Sequence, residues 1–356
     1  MEHIFLNGPV QNGNFTFVDK PGKAVGIRIA AALNEIMGLR PPLAPHLWNT
    51  VMLANDVRHR KHVEASPISL DRHAFEVGEI ARKYVEATFR PNRPEIVTDA
   101  DPEVAELALS IIERHLAAGN MAISSEAMLF CKRCDHMAGA SSSPMCKACG
   151  GRDLYIRRKR LLTAPAGKLA IKDLYGRANE GRIRAITGEV PGKLVLSRTR
   201  DYGISLDTLG LPGLVLDPRA GIHVAASAVA RRSRAKTAVL LLTPNAAVNI
   251  QAYGHPFRRD ETIRLLYGLH GHIPTLNIEQ VHILSEQVGA RRSTVERFLQ
   301  WFLPLLALKH VRGLRGTQLP PLLRYFKKTL WSSQTVKHRA ANIERVREAV
   351  AAGQPE

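Results

Sequence analysis

The chain has 356 residues and a formal charge of +18, from 50 Lys and Arg against 32 Asp and Glu. With 45% hydrophobic and 23% charged residues, it has the composition of a globular protein. At roughly 100–200 residues per domain it should form two or three structural units with a sizeable core. Intrinsic disorder, a collagen-like chain and a disulfide scaffold are thereby excluded. A field of this sign attracts polyanions, so a nucleic acid or a phosphorylated ligand is an expected partner. The basic residues crowd into three separate stretches, Arg152–Arg160, Arg231–Lys236 and Arg324–Lys328, which do not define a single groove.

The first residues lack a basic segment followed by an apolar one, so no secretory leader is expected. The most apolar stretch, Ala238–Leu242, meets Thr243 and Pro244 well short of the ~20 residues that a membrane helix needs. No membrane partner is expected, and the cytoplasm is the default compartment.

In chain order, Ile4-Phe5-Leu6 reads as a short buried strand that ends in a glycine-rich turn, Asn7-Gly8-Pro9 through Asn12-Gly13. Apolar residues at Ile27, Ala30, Ala31, Leu33, Ile36 and Met37 then recur near the helical period, and Gly38 with Pro41 and Pro42 stops that helix. A second strand, Thr50–Ala54, leads to Asn55-Asp56. Strand, loop, helix, strand opens a parallel α/β sheet whose ligand edge lies at the strand ends. Helices are predicted near Leu70–Thr88 and Pro102–Ala118. Residues Cys131–Gly151 are then too poor in large apolar side chains to fold on packing alone. Strands follow at Lys193–Ser197, Leu214–Leu216 and Ala238–Leu242, with helices over Asp260–Leu269 and Thr294–Leu303, the latter followed by Pro304. Ser333–Glu356 reads as polar, with a helical centre and a frayed end.

All four cysteines lie in Cys131-Lys-Arg-Cys134 and Cys146-Lys-Ala-Cys149. Two residues between thiolates let one turn present both sulfurs to the same ion, and two such turns complete a tetrahedral shell for structural Zn²⁺. Gly150 and Gly151 suit the second turn, and Lys132, Arg133 and Lys147 favour the thiolate form. Four sulfurs close the shell, so the metal organises a module and activates no water. His136, beside the site, reads as exposed and not as a ligand. His255, His270 and His272 read either as a metal or acid–base cluster or, equally, as loop residues, and Gly221-Ile222-His223-Val224 as a strand edge near the ligand site.

A first strand ending in Pro9-Val10-Gln11-Asn12-Gly13, a double C-x2-C knuckle, and then Arg198-Thr199-Arg200-Asp201-Tyr202-Gly203-Ile204 occur here in that order. Together they resemble the catalytic core of methionyl-tRNA synthetase, a class I synthetase, over about Ile4 to Val295. The resemblance implies an α/β fold: a Rossmann-type parallel sheet core split by a mainly helical insertion that carries the zinc knuckle, with a C-terminal helical tail. The implied division is residues 1–120 for the first half of the core and the start of the insertion and 121–190 for the knuckle insertion. Residues 191–310 would form the second half of the core, and 311–356 a basic helical tail.

The departures from the family pattern fall on the residues that handle ATP. Thr16 and Asp19 stand where the family's H-x-G-H histidines contact the triphosphate, and Val18 replaces the glycine of close approach. Arg291, followed by Arg292, stands where the resemblance places the first K-M-S-K-S lysine, and Thr294 stands at the second, which is thereby lost. The G-K-D segment is absent, its nearest counterpart being Leu242-Thr243-Pro244-Asn245. Losing several such contacts suppresses ordinary adenylation, so ATP is a doubtful cofactor.

On the substrate side, Asp56 matches the aspartate that binds the amino acid's ammonium group, and Gly13 belongs to the turn beneath it. Val10 replaces the tyrosine of the methionine site, which argues against methionine as the ligand. Two readings stand. One is an amino-acid ligase repurposed for small-molecule biosynthesis. The other is a non-catalytic zinc protein that binds tRNA, another polyanion or a protein partner. The residues after Val295 are too few for the family's full anticodon-binding domain.

Overall fold

The computed structural model describes residues 2–7, 25–38, 46–47, 96–97, 101–138, 145–146, 149–176, 180–188, 190–199, 203–258, 262–274, 276–309, 313–331 and 336–352. Val10, Gly13, Thr16, Asp19 and Asp56 lie outside the described residues, as do Arg200–Tyr202 and the elements predicted over Thr50–Ala54 and Leu70–Thr88.

A six-stranded parallel sheet organises the chain. Its strands are β1 (His3–Asn7), β2 (His46–Leu47), β3 (Ile96–Val97), β6 (Leu174–Tyr175), β10 (Thr237–Leu242) and β11 (Arg264–Leu269). Their order is β3-β2-β1-β10-β11-β6, so the winding reverses between β1 and β10. Side chains alternate across the sheet, as the period of two dictates. Ile4, Leu6, Leu240, Leu242, Leu265, Tyr267 and Leu269 face one core, and Phe5, Val239, Leu241 and Leu266 face the other. Strands buried on both faces need helices on both faces. The first face is covered by α2 (Pro102–Ala117) and α4 (Pro218–Arg232). Across the second lie α1 (Val25–Ile36) and the C-terminal helices.

A side chain of α1 also pairs with the backbone of β1. The Asn34 carboxamide accepts from the Phe5 N–H and donates to the Phe5 carbonyl, both at 2.9 Å, as a neighbouring strand would. Asn34 is fully buried on α1, so helix and strand are locked by polar contacts as well as by packing.

The insertion contributes α2 and a long antiparallel ribbon of β4 (Ala122–Cys131) and β5 (Leu154–Pro165), in register from Ala122↔Thr163 to Cys131↔Leu154. After β6 come α3 (Glu180–Thr187) and β7 (Lys193–Val195), which pairs with the base of β5. β8 (Ser197–Arg198) and β9 (Val215–Leu216) then lead into α4. The short helix α5 (Pro244–Ile250) follows β10.

Two sequence expectations need correction. Asp260–Leu269, predicted helical, contains β11: a short apolar run buried on both faces carries no period that separates helix from strand. Gly221–Val224, predicted as a strand edge, lies within α4, an Ala-rich helix buried on nearly every side. Pro304 does not stop the helix that precedes it. After α6 (Ile278–Val288) and α7 (Arg292–Arg297), a π-helical turn over Phe298–Phe302 opens the i→i+4 ladder. Pro304, which has no N–H, then enters α8 (Leu303–Lys309) in its first turn. The tail has the helical centre that the sequence suggests, and its last turn docks on the core. After α9 (Leu319–Tyr325), α10 (Val336–Ala351) buries Val350, whose carbonyl accepts from the Tyr175 hydroxyl at 2.7 Å. Arg347 Nε donates to the Ile36 carbonyl at 2.9 Å.

Against β11, the buried His223 of α4 has its Nε2 2.5 Å from the Tyr267 hydroxyl. A Cβ on Gly254 would overlap both groups, so only glycine admits this contact. Burial pushes His223 down to about 3 from its ordinary 6.5, helped by the Arg258 charge. The unfolded chain therefore takes up a proton that the folded chain refuses between those values. Stability contributed here is full above pH 6.5 and declines as the pH falls toward 3, by roughly 1 kcal/mol per pH unit. His223→Gln, which cannot protonate, is expected to flatten that decline. Urea midpoints measured between pH 7 and 4 check it, and parallel slopes for the two proteins would refute it.

Candidate metal centre and ligand crevice

The far end of the ribbon holds the four cysteines. Cys131 closes β4, and each C-x2-C turn folds back in the same way. Asp135 N–H donates to the Cys131 carbonyl at 2.9 Å, and Gly150 N–H to the Cys146 carbonyl at 2.8 Å. The residue after the second cysteine has positive φ in both turns, 51° at Asp135 and 72° at Gly150. Glycine meets that need without strain at position 150, whereas position 135 uses aspartate, a side chain that tolerates the left-handed region.

The sulfurs of Cys131 and Cys149 are 3.6 Å apart, as are those of Cys134 and Cys146, and all four lie within 4.8 Å of one another. A disulfide would need about 2.05 Å, and the cysteines are free. Sulfurs held at about 2.3 Å around a tetrahedral ion stand about 3.8 Å apart, so the four sulfurs fit one metal ion. Their thiols differ. At Cys131, burial raises the pKa, but N–H donors from Cys134 and Arg133 outweigh it and bring the thiol down to about 7, whereas at Cys134 burial pushes the thiol up to about 12. His136 is buried, contrary to the sequence reading, and its carbonyl accepts from Cys131 N–H at 3.0 Å. Its backbone thus completes the first turn.

The ribbon is tied to the core behind this centre. Met137 N–H donates to Thr199 Oγ1 at 2.6 Å, and Arg198 Nη1 lies 3.5 Å from the Met137 sulfur. Arg198 Nε in turn donates to the buried Asp217 at 2.6 Å. Asp217 caps α4 through Arg219 N–H at 2.9 Å and accepts from the Arg219 guanidinium at 2.9 and 2.7 Å. That guanidinium lies 3.8 Å over the Tyr253 ring. Burial would raise the Asp217 carboxyl, but Arg219 and Arg198 hold it well below the usual carboxylate range. Arg198 was legible in the sequence as the first residue of the Arg198–Ile204 segment. Asp217 and Arg219 were not, because nothing local marks them as partners of a residue so far upstream.

Ligands of open α/β sheets bind outside the carboxyl ends of the strands, where the winding reverses. Here that crevice lies at the ends of β1 and β10, with β11 alongside. Asn7 ends β1, Gly26 begins α1 and His270 follows β11, and a Cβ on Gly26 would overlap the Asn7 carboxamide and approach His270 Nε2 to 3.5 Å. His270 Nδ1 lies 3.0 Å from the Gly271 carbonyl, which only accepts, so the proton sits on Nδ1 and Nε2 is left as an acceptor. Burial lowers the His270 pKa, keeping the ring neutral. His270 is therefore buried at the carboxyl end of β11, while His255 and His272 are exposed. Gly26→Ala is expected to displace the Asn7 side chain and to cost about 1–3 kcal/mol, as overpacking does. A thermal melt checks the loss, and an unchanged melting temperature would show that the contact is slack.

Thr243 caps α5 by accepting from Ala246 N–H at 3.3 Å. Arg291, Arg292 and Thr294 are separated from the end of β11 by the whole of α6. Arg291 is the exposed N-cap of α7, and Arg292 Nε pairs with Glu296 at 2.9 Å. The structure does not bring these residues together with Asn7 and His270 in any described contact. Arg28, unremarked in the sequence, is buried on α1 and donates to the carbonyls of Pro274 at 3.3 Å and Leu299 at 3.0 Å. It thereby holds the segment after β11 against the C-terminal helices.

No protein-family profile matches this chain, and no curated protein does. Among solved structures, Mycobacterium tuberculosis methionyl-tRNA synthetase in complex with methionyl-adenylate superposes with a TM-score of 0.54 at 13% identity. That match covers 99% of this chain and 80% of the other. The fold is that of a methionyl-tRNA synthetase catalytic core. A second structure of the Mycobacterium tuberculosis enzyme, also bound by methionyl-adenylate, gives a TM-score of 0.50 at 13% identity and covers 84% of this chain. In that comparison the chain spans 64% of the synthetase chain. The synthetase-like core thus carries its cysteine knuckle on the β4–β5 ribbon. Among the described residues, no helix is long and apolar enough to cross a membrane.

Proposed function

We propose that this synthetase-like core binds an amino acid at the crevice and acts outside ordinary translation, in the cytoplasm, as an amino-acid ligase of small-molecule biosynthesis. The observation that carries the reading is the convergence of Asn7, Gly26 and the neutral His270 at the winding reversal of the sheet. The His270 Nε2 and the Asn7 carbonyl oxygen can accept from an ammonium or hydroxyl group, and Asp56 would add a carboxylate for the ammonium. Zn²⁺ on Cys131, Cys134, Cys146 and Cys149 would be structural, holding the ribbon closed.

In the ligase reading, the amino acid's carboxylate attacks the α-phosphorus of ATP and expels pyrophosphate. An acceptor nucleophile then displaces AMP from the acyl carbon. Thr16, Asp19 and Thr294 supply none of the charge stabilisation that histidines and lysine would, so turnover should be slow and methionine a poor substrate.

Amino-acid-dependent ATP–pyrophosphate exchange tests this, surveyed over the protein amino acids and several non-protein ones. Exchange with one amino acid supports the reading. No exchange, together with no AMP release when acceptors are present, removes it. The second reading, a non-catalytic binder of tRNA or of a protein, is favoured by the exposed arginines of the ribbon. It predicts no exchange, and binding of a polyanion or partner that weakens as salt rises.

A further inference from the structure

One face of the ribbon is left uncovered among the described residues. Directly opposed residues share a face, so Leu129 with Ile156, Ala127 with Arg158, and Ser125 with Arg160 form one side of the ribbon. All six are exposed, Ile156 at 72% and Leu129 at 39%. The other side is engaged. Phe130 is fully buried, and the Arg157 guanidinium lies 4.2 Å over its ring while pairing with Asp135 at 2.9 Å. The ribbon's acidic residues are also spent away from the exposed face: Asp135 on Arg157, and Glu126 on Lys193 at 2.5 Å. What remains is an aliphatic pair beside two arginines, with no carboxylate on that face among the described residues. The ribbon carrying this face ends in the cysteine knuckle on one side and in the buried Leu161 and Leu162 on the other.

We propose that this face docks a protein partner through an acidic amphipathic helix, whose aliphatic side chains cover Leu129 and Ile156 and whose carboxylates meet Arg158 and Arg160. Protein is favoured over RNA by what the face lacks. Proteins that grip single-stranded nucleic acid stack its bases on aromatic side chains, and this face carries none. An apolar centre with arginine beside it and few other charges is the composition of a protein interface. The area is small, so the contact is transient. The inference is independent of the ligase reading and stands or falls without it.

The test uses the full chain loaded with zinc and fluorescence anisotropy with three probes. One is a synthetic helix of roughly 18 residues, about five turns, with a leucine stripe and glutamate elsewhere. The others are a scrambled peptide of the same composition and a single-stranded RNA oligonucleotide. The variants are Ile156→Asp and the pair Arg158→Glu with Arg160→Glu, each accepted only if zinc content and far-ultraviolet circular dichroism match the parent. The amphipathic peptide should bind at least about tenfold more tightly than the scrambled one, and each variant should weaken it by about tenfold or more. Rising salt should weaken it further. Absence of peptide binding, equal binding of the scrambled peptide, or indifference to Ile156→Asp would overturn the proposal. So would tighter binding of RNA that depends on the two arginines and not on Ile156.

Discussion

Cys146→Ser is expected to cut metal content from about one zinc per chain to a small fraction of that, and to loosen the β4–β5 ribbon from its tip downward. The segment from Cys131 to Gly151 is short of large apolar side chains, so a metal on the four sulfurs would supply what packing does not. Metal binding in small cysteine modules contributes about 10–16 kcal/mol of coupled folding free energy, far more than the turns' own hydrogen bonds. Metal analysis reads the first effect, and amide exchange over residues 122–165 reads the second. Chelation of the parent protein should reproduce the variant's exchange pattern while leaving β1, β10 and β11 protected. Full retention of zinc by Cys146→Ser would contradict a four-sulfur site.

Asp217→Asn is expected to destabilise the whole core by about 3–5 kcal/mol, the usual cost of breaking a buried ion pair from one side. The reason is geometric. One carboxylate, 2% exposed, neutralises the guanidinium of Arg198 at 2.6 Å and that of Arg219 at 2.7 Å. The neutral amide keeps the shape but leaves Arg198, whose side chain is 10% exposed, without a counter-charge. Because the folded carboxyl titrates below its ordinary 3.8, its stabilisation is full above that pH and is lost as the pH falls further, toward the lower folded value. Denaturant titrations at pH 7 check the magnitude. Arg198→Met should cost less than Asp217→Asn, since Asp217 keeps Arg219. The reverse order would show that Arg198, not Asp217, organises the cluster.

The parts of the molecule that were legible beforehand have local signatures. β1, α1, α2 and β10 follow from period and punctuation, with Gly38 at φ 82° ending α1 as its position suggests. The knuckle follows from spacing alone, because two C-x2-C turns have few other uses. β11 failed because its residues are buried on both faces and carry no alternation to read. α4 failed for a similar reason: a helix surrounded by protein has no polar stripe, so Gly221–Val224 lost its helical signal.

Composition and spacing by themselves determined a basic, globular α/β chain with a four-cysteine centre, and their order along the chain pointed to a synthetase core. What only the tertiary structure decided were the partnerships between distant residues: Asn7 with Gly26 and His270, and Asp217 with Arg198 and Arg219. Burial decided the rest. It made His136 a backbone prop instead of an exposed side chain, kept His223 and His270 neutral, and left Ile156 in solvent on a strand whose neighbours are arginines. Each of these properties depends on the free energy of removing a particular group from water, which is set by what the fold packs around it.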